Sequence, residues 1–579
     1  MFQKDTSITR RMDLHCDIED RLMWREGERS NGSKRGLSRL ASNAMLCVVL
    51  GGILTVGKPA PAQSQQEQVP AASKKVDGAN LDTGKKPVAT TISTLDPTDS
   101  PKSEGEATNR GETASWASEP TRKASLTNLA PALLPYFNNG PVFGLLGTVT
   151  GNFWERTQLS GDQGGVRTDL ARHGLFFDLY STSAYQDVAS GGLKTGGAFI
   201  QNTQLAINLD TGRAGLWPGG LFHFTLESRE GSSSLQNTLT AGSSVPQYTG
   251  LAFPGPFFVH DVLPTEYFLL QSVAPKFSVL LGKINVLTVC DHTLFGNRYK
   301  FDFANLNFNK NPMALNFYNT TSLSAVGVWT PSRTLTVAGG VLDPNSQANN
   351  LAAKAFDKIN VYGAGIFSYN IGKLPGQSWA EFNWTNKPKI DLGDPFGQLP
   401  PGTNAQAIGI LLGSPSIQGV PINYKSDSWV TLGNISQYLF VKEGSDAIAG
   451  KLASGQTLRG IGVLGRLGYA PDQTNTVTRD ASIALFAHGL FDFRKNDSMG
   501  AGFYHNGISD PLKLDIEQLS GSKNAVRNEN GSEIFYDFAI TPAVRFIPSY
   551  QHIWSPLTAE ATRNQRAADM FFARLTVVW

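Results

Sequence analysis

From about residue 126 to Trp579, apolar and polar residues alternate in short segments, separated by clusters of Gly, Asn, Asp, Ser and Pro. A period of two places successive side chains on opposite faces of a strand. Over 203–210, Leu205, Ile207 and Leu209 alternate with Gln204, Asn208 and Asp210. Over 221–229, Phe222, Phe224 and Leu226 alternate with His223, Thr225 and Glu227. Phe382 and Trp384 alternate with Glu381 and Asn383. In 461–469 the apolar phase is Ile461, Val463, Leu467 and Tyr469, with Arg466 on the other face. The chain ends in the same pattern: Phe571, Ala573, Leu575, Val577 and Trp579 share a face, and Arg574 and Thr576 share the other. No long helical period interrupts this texture, so the expectation is an all-β protein.

One apolar and one polar face per strand suit a soluble sandwich or a transmembrane barrel, in which the apolar face meets lipid and the polar face lines water. A uniform stretch of about 450 residues is too long for one sandwich. Aromatics recur at strand ends (Trp154, Tyr180, Trp329, Tyr369, Trp429, Tyr469, Trp579), as two interfacial girdles require. The last residue, Trp579, closes an amphipathic strand, an ending that barrel-assembly machinery of the outer membrane is expected to read. Sixteen strands leave about 28 residues each, of which roughly 10 span a bilayer. The expectation is therefore a transmembrane antiparallel β-barrel of 16 strands in the cell outer membrane, with long extracellular loops at 231–250, 386–428, 442–457 and 511–529, any of them able to fold inward.

The N-terminus is different material. Lys34, Arg35 and Arg39 precede the apolar run 44–56, and Ala60-Pro61-Ala62 offers a small-x-small cleavage site, so 1–62 reads as a signal peptide. Its length suggests that translation starts at Met12 or Met23. Residues 63–125 are rich in Ser, Thr, Lys, Pro and Gln, with Trp116 the one aromatic, and are expected to be a disordered polar extension. The barrel is assigned to 126–579.

Composition then makes sense. Only 17% of residues are charged, Gly numbers 59 and Phe 33, and mean hydropathy is −0.19. Alternation cancels in the mean but not along the strand. The formal charge of +2 belongs to the leader: residues 1–62 carry ten Lys/Arg and seven Asp/Glu, and removing them from 50 and 48 leaves 40 and 41. A near-neutral mature chain gives no support to nucleic-acid binding.

Two stretches, 460–509 (GIGVLGRLGYAPDQTNTVTRDASIALFAHGLFDFRKNDSMGAGFYHNGIS) and 533–556 (EIFYDFAITPAVRFIPSYQHIWSP), resemble the carbohydrate-selective porin family of OprB type. Leu281-Gly282-Lys283 and the Asn-rich Phe303–Pro312 are similar to it too. The resemblance covers most of 140–579. It implies a 16-stranded outer-membrane barrel and passive diffusion of small sugars, glucose among them.

A neutral sugar gains little from a field of one sign. Each hydroxyl both donates and accepts, so a sugar passage wants acids and bases together. The polar phases supply them: Glu227, Glu381, Arg466, Asp537, Arg545, Gln551 and Arg574 are the candidate pore-lining, substrate-binding residues, with Tyr180 sharing the phase of Asp178. The bland alternative is that each only keeps the channel wet. Arg466→Ala or Glu381→Ala is expected to alter sugar flux without preventing barrel formation. No catalytic, cofactor or metal site is called for. The eight His are scattered, no Gly-x-Ser-x-Gly elbow or phosphate loop occurs, and Asp210-x-Gly212 and Asp343-Pro344-Asn345 read as turns. A general, unselective porin is the rival reading; an enzyme in a barrel lacks a placed Ser/His pair.

Overall fold

The computed structural model describes residues 149–579, apart from 233–238, 246–261, 287–290, 292, 295–299, 318–320, 349–353, 415–419 and 454–455. The leader and polar extension expected over 1–125 lie outside the described residues.

The strands are β1 (Leu175–Gly191), β2 (Gly196–Asp210), β3 (Gly220–Gly231), β4 (Val262–Ala274), β5 (Phe277–Asn285), β6 (Thr321–Trp329), β7 (Leu335–Leu342), β8 (Asn360–Ile371), β9 (Leu374–Thr385), β10 (Lys389–Ile390), β11 (Tyr424–Lys425), β12 (Ser428–Val441), β13 (Gly460–Tyr469), β14 (Val477–His488), β15 (Ser498–Ile508), β16 (Glu529–Thr541), β17 (Val544–Trp554) and β18 (Ala567–Val578). All but β10 and β11 form one closed antiparallel barrel, each strand beside its sequence neighbour, with β9 paired to β12 and β1 to β18. That is the expected 16-stranded architecture. The ladder of β10 and β11 sits in the connection between β9 and β12. Closure leaves no strand edge unpaired, as a lipid-exposed sheet demands. Among the described residues no helix is long and apolar enough to cross a membrane.

The two faces follow the period of two. On β3, Phe222 is 40% exposed outward while His223, Thr225 and Glu227 are buried inward. On β13, Leu467 is 67% exposed and its neighbour Arg466 only 1%. Outward aromatics gather at both barrel ends. Phe382, Trp429 and Tyr469 follow one another at one end, with centroids 6.4 and 5.8 Å apart. Phe367 and Tyr369 stack at the other, 5.9 Å apart, with Trp329 at the same end. Tyr180 departs from the girdle reading: it faces inward, under the Lys300 ammonium 4.6 Å away.

Consecutive strands run in opposite directions, so connections alternate between the two ends. Those at 275–276, 330–334, 372–373 and 542–543 are short and share an end with the C-terminus. Those at 232–261, 286–320, 343–359, 386–427 and 509–528 are long and share the other. The expected outer loop 442–457 is corrected by this parity. β12 runs back toward the short-turn end, so the connection that follows it emerges there. Lys442 and Arg459 both bridge to Asp492, in the next short-end turn, at 3.1 and 2.5 Å. The helices are α1 (Val166–Arg172), α2 (Leu306–Asn309), α3 (Asn404–Leu411), α4 (Ser445–Ala453), α5 (Asp510–Ser520) and α6 (Leu557–Arg563), and at the long-loop end α3 and α5 bury Leu411, Leu512 and Ile516 in one apolar cluster. The two Asp turns are as expected: Gly212 N donates to Asp210 Oδ1 at 3.0 Å and Asn345 N to Asp343 Oδ1 at 2.8 Å.

Candidate functional site

The described part of the connection after β5 folds into the barrel. That connection was not among the four loops expected to do so. Its described part carries a one-turn helix, α2 (Leu306–Asn309), and a 3₁₀ turn (Pro312–Asn316). Asparagines make both turns possible. The Asn305 side chain accepts from Asn307 N at 3.0 Å and the Asn311 side chain from Met313 N at 3.1 Å, satisfying otherwise orphaned N–H groups. Two asparagines of 303–312 are therefore caps, while Asn309 Nδ2 donates to Phe303 O at 2.6 Å.

This segment lies against the inner face of β13–β18, and the wall holds it mainly by its backbone. Glu533 on β16 accepts from Ala304 N and Asn305 N, both at 2.7 Å. Arg466 on β13 donates to the carbonyls of Phe308 (2.8 Å) and Asn309 (2.9 Å), and its Nε to Asp291 Oδ2 at 2.8 Å. Gln551 on β17 accepts from Asn305 Nδ2 at 3.2 Å. Arg574 and Thr576 on β18 donate to the carbonyls of Asp302 and Lys300. On β14, Ser482 donates to Asn307 O and Asp480 accepts from Asn311 Nδ2.

Glycines make room for the segment's side chains. A Cβ on Gly502 would stand 2.6 Å from the Phe308 ring, one on Gly468 2.5 Å from Met313 Sδ, and one on Gly500 3.0 Å from the Phe303 ring. Phe303 then packs against Phe308, Phe486 and Phe535 at 4.7–5.1 Å. The inner face is thus not uniformly polar, as the alternation alone suggested. Phe486, Phe535, Ile547 and Val578 also point inward, because they pack this segment rather than meet water.

The seven candidates all take inward positions, and all are at most 4% exposed. Arg466, Gln551 and Arg574 converge on the segment. Asp537 and Arg545 form a separate pair at the short-turn end: Arg545 Nε and Nη2 reach Asp537 Oδ2 at 2.8 and 2.7 Å, and Nη2 also donates to Asn496 O. Glu227 lies on the other half of the wall and accepts from Asn202 Nδ2 (2.5 Å) and Arg229 Nη2 (2.6 Å). Glu381, on β9, accepts from Asn383 Nδ2 at 2.5 Å. Sequence reasoning missed Glu533, although it opens the motif 533–556 and shares the inward phase of Asp537. Among the described residues no three His, Cys, Asp or Glu side chains gather as a metal site.

A closed barrel of sixteen antiparallel strands, girdled with aromatics outside, with paired charges inside and a connection folded into its interior, is an outer-membrane porin. The family model described as "Carbohydrate-selective porin, OprB family" matches residues 194–573, and the chain belongs to that family. Among solved structures, the high-pH structure of Pseudomonas putida OprB superposes with a TM-score of 0.59 at 18% identity, covering 74% of this chain and all of that one, and shows the same fold. The low-pH structure of P. putida OprB matches at 14% identity and TM-score 0.42, covering 73% of this chain and 99% of that one. A loop-deletion mutant of Vibrio cholerae OmpT matches at 10% and 0.39, covering 70% and 100%. No curated protein matches the chain.

Proposed function

We propose that the protein lets small neutral sugars, glucose among them, diffuse passively across the outer membrane, and that it catalyses no reaction. The observation that carries this reading is the pairing of opposite charges in the barrel interior: Glu227 with Arg229 and Asp537 with Arg545 on the wall, and Arg466 of the wall with Asp291 of the connection after β5. Paired charges cancel at a distance and leave directional donors and acceptors close by, which suits a ligand that is polar but uncharged. On this reading Glu227, Glu381, Arg466, Asp537, Arg545, Gln551 and Arg574 shape the passage by holding what faces the sugar. Outward Phe, Leu and Ile side chains meet lipid, and Trp579 serves recognition by the assembly machinery.

Planar-bilayer recording tests the proposal. Glucose and maltose titrated into the bath are expected to reduce the ion current saturably, with amino acids ineffective. Steady conductance with no saturable sugar block identifies a general diffusion porin instead. Absence of any channel removes the reading altogether.

A further inference from the structure

The grip on α2 is polarised. At its start, two successive backbone N–H groups, Ala304 and Asn305, point at the two oxygens of one carboxylate, Glu533. At its end, two successive carbonyls, Phe308 and Asn309, receive one guanidinium, Arg466. A backbone N–H carries partial positive charge and a carbonyl oxygen partial negative charge, so each wall group meets the sign that stabilises it. Both wall groups are fully buried, 1% exposed. Bonds of this kind, with one partner ionised, are about twice as strong as neutral ones. The Arg466 guanidinium is also tied by Nε to Asp291, at the start of the same connection.

We propose that Glu533 and Arg466 are positioning residues that set the width of the passage, by clamping α2 against β13–β16 through its backbone. This rests on the sugar-porin reading. All four residues of α2 are buried, so the clamp acts on the passage through where the segment sits and not through an α2 side chain shown to the sugar.

The test is Glu533→Gln and Arg466→Met in the full chain, read by single-channel recording beside heat-modifiable mobility as the check of barrel formation. Glu533→Gln keeps the shape but turns an amide NH₂ toward a backbone N–H. A released segment widens the passage, so ion conductance is expected to rise while the glucose concentration for half-block rises about tenfold, the equivalent of about 1.4 kcal/mol. Conductance that rises while sugar affinity falls separates loss of positioning from general damage, which lowers both. Glu533→Asp keeps the charge but is one methylene short, and is expected to fall between. It carries the test if Glu533→Gln does not assemble. Any of the three that folds with wild-type conductance and wild-type block overturns the clamp. A wild-type channel that sugar does not block removes the sugar reading instead, and the conductance arm still decides the clamp.

Discussion

The two halves of the barrel wall use the same alternation for different work. On β13–β18 several inward polar groups are spent on another piece of chain: Glu533, Arg466, Gln551 and Arg574 all reach across to residues 302–309, while Asp537 and Arg545 pair within the wall. On β2–β9 several inward groups pair within the wall. Glu227 binds Asn202 and Arg229, Glu381 binds Asn383, and His223 lies between Asn208 and Thr225 at 2.7 and 2.9 Å. The first half mainly fixes the 302–309 segment; the second mainly finishes its own strands, although Gln204 on β2 also accepts from Lys300 and Lys283 on β5 donates to the carbonyl of Gln347. An inward charge is therefore not by itself a group offered to the sugar.

The sharpest way to break this contrast is to unpair a buried charge. Arg545 and Asp537 are both fully buried on the covered half. Arg545→Ala strands the Asp537 carboxylate and is expected to destabilise the barrel by about 3–5 kcal/mol. Glu381→Gln, on the other half, keeps the shape and an acceptor for Asn383, and is expected to cost about 1 kcal/mol or less. Urea titration followed by heat-modifiable mobility ranks the two. Equal losses would mean that unpairing a buried charge costs this barrel no more than exchanging a buried acid for its amide.

Glycines sharpen the same contrast at smaller magnitude. A methyl group on Gly502 would sit 2.6 Å from the Phe308 ring, whereas one on Gly365, on the outward face of β8, meets nothing within 4 Å. Gly502→Ala is expected to cost about 1–3 kcal/mol by overpacking and to shift channel conductance, since the segment must move. Gly365→Ala is expected to be neutral or to stabilise by about 0.4–1 kcal/mol by restricting the unfolded chain. Matching effects from both in unfolding and single-channel measurements would sink the idea that β15 is a seat.

Much of this fold was legible in the sequence, because a period of two is a local signal that lipid on one side and a closed interior on the other both enforce. The phases of Glu227, Glu381, Arg466 and Arg574 were read correctly for that reason. What those side chains touch was not legible, since Arg466 and Phe308 stand 158 residues apart. The inward segment is not marked as a loop by its sequence, because 301–308 is rich in Phe and packs as a core. The turn at 442–457 was placed at the wrong end because length stood in for direction. Counting strand parity needs every strand, and a single miscounted strand inverts the answer. Glu533 was visible as an inward carboxylate four residues before Asp537. Only the fold, however, brings two backbone N–H groups to it.

The smallest expected effect lies outside the barrel, where the long-loop end is capped by α3 against α5. Asn404 Nδ2 donates to Leu519 O at 3.0 Å across this contact. Asp515 on α5 is pushed up to about 6, first by partial burial and then by the neighbouring charges of Asp394 and Asp391. A carboxyl whose folded value exceeds its unfolded one, near 3.8, binds its proton more tightly when folded. Its ionisation therefore works against the packed cap. The cap is tightest below about pH 4, loosens as pH rises toward 6, and stays at the looser level above. Amide-exchange protection across 510–520 is expected to be higher at pH 4 than at pH 7, with barrel strands unchanged. Asp515→Asn, with no charge to form, is expected to flatten that profile. A wild-type profile already flat, or one unchanged by the substitution, would show that the packing of the cap does not respond to Asp515, and that its acidic cluster is solvated.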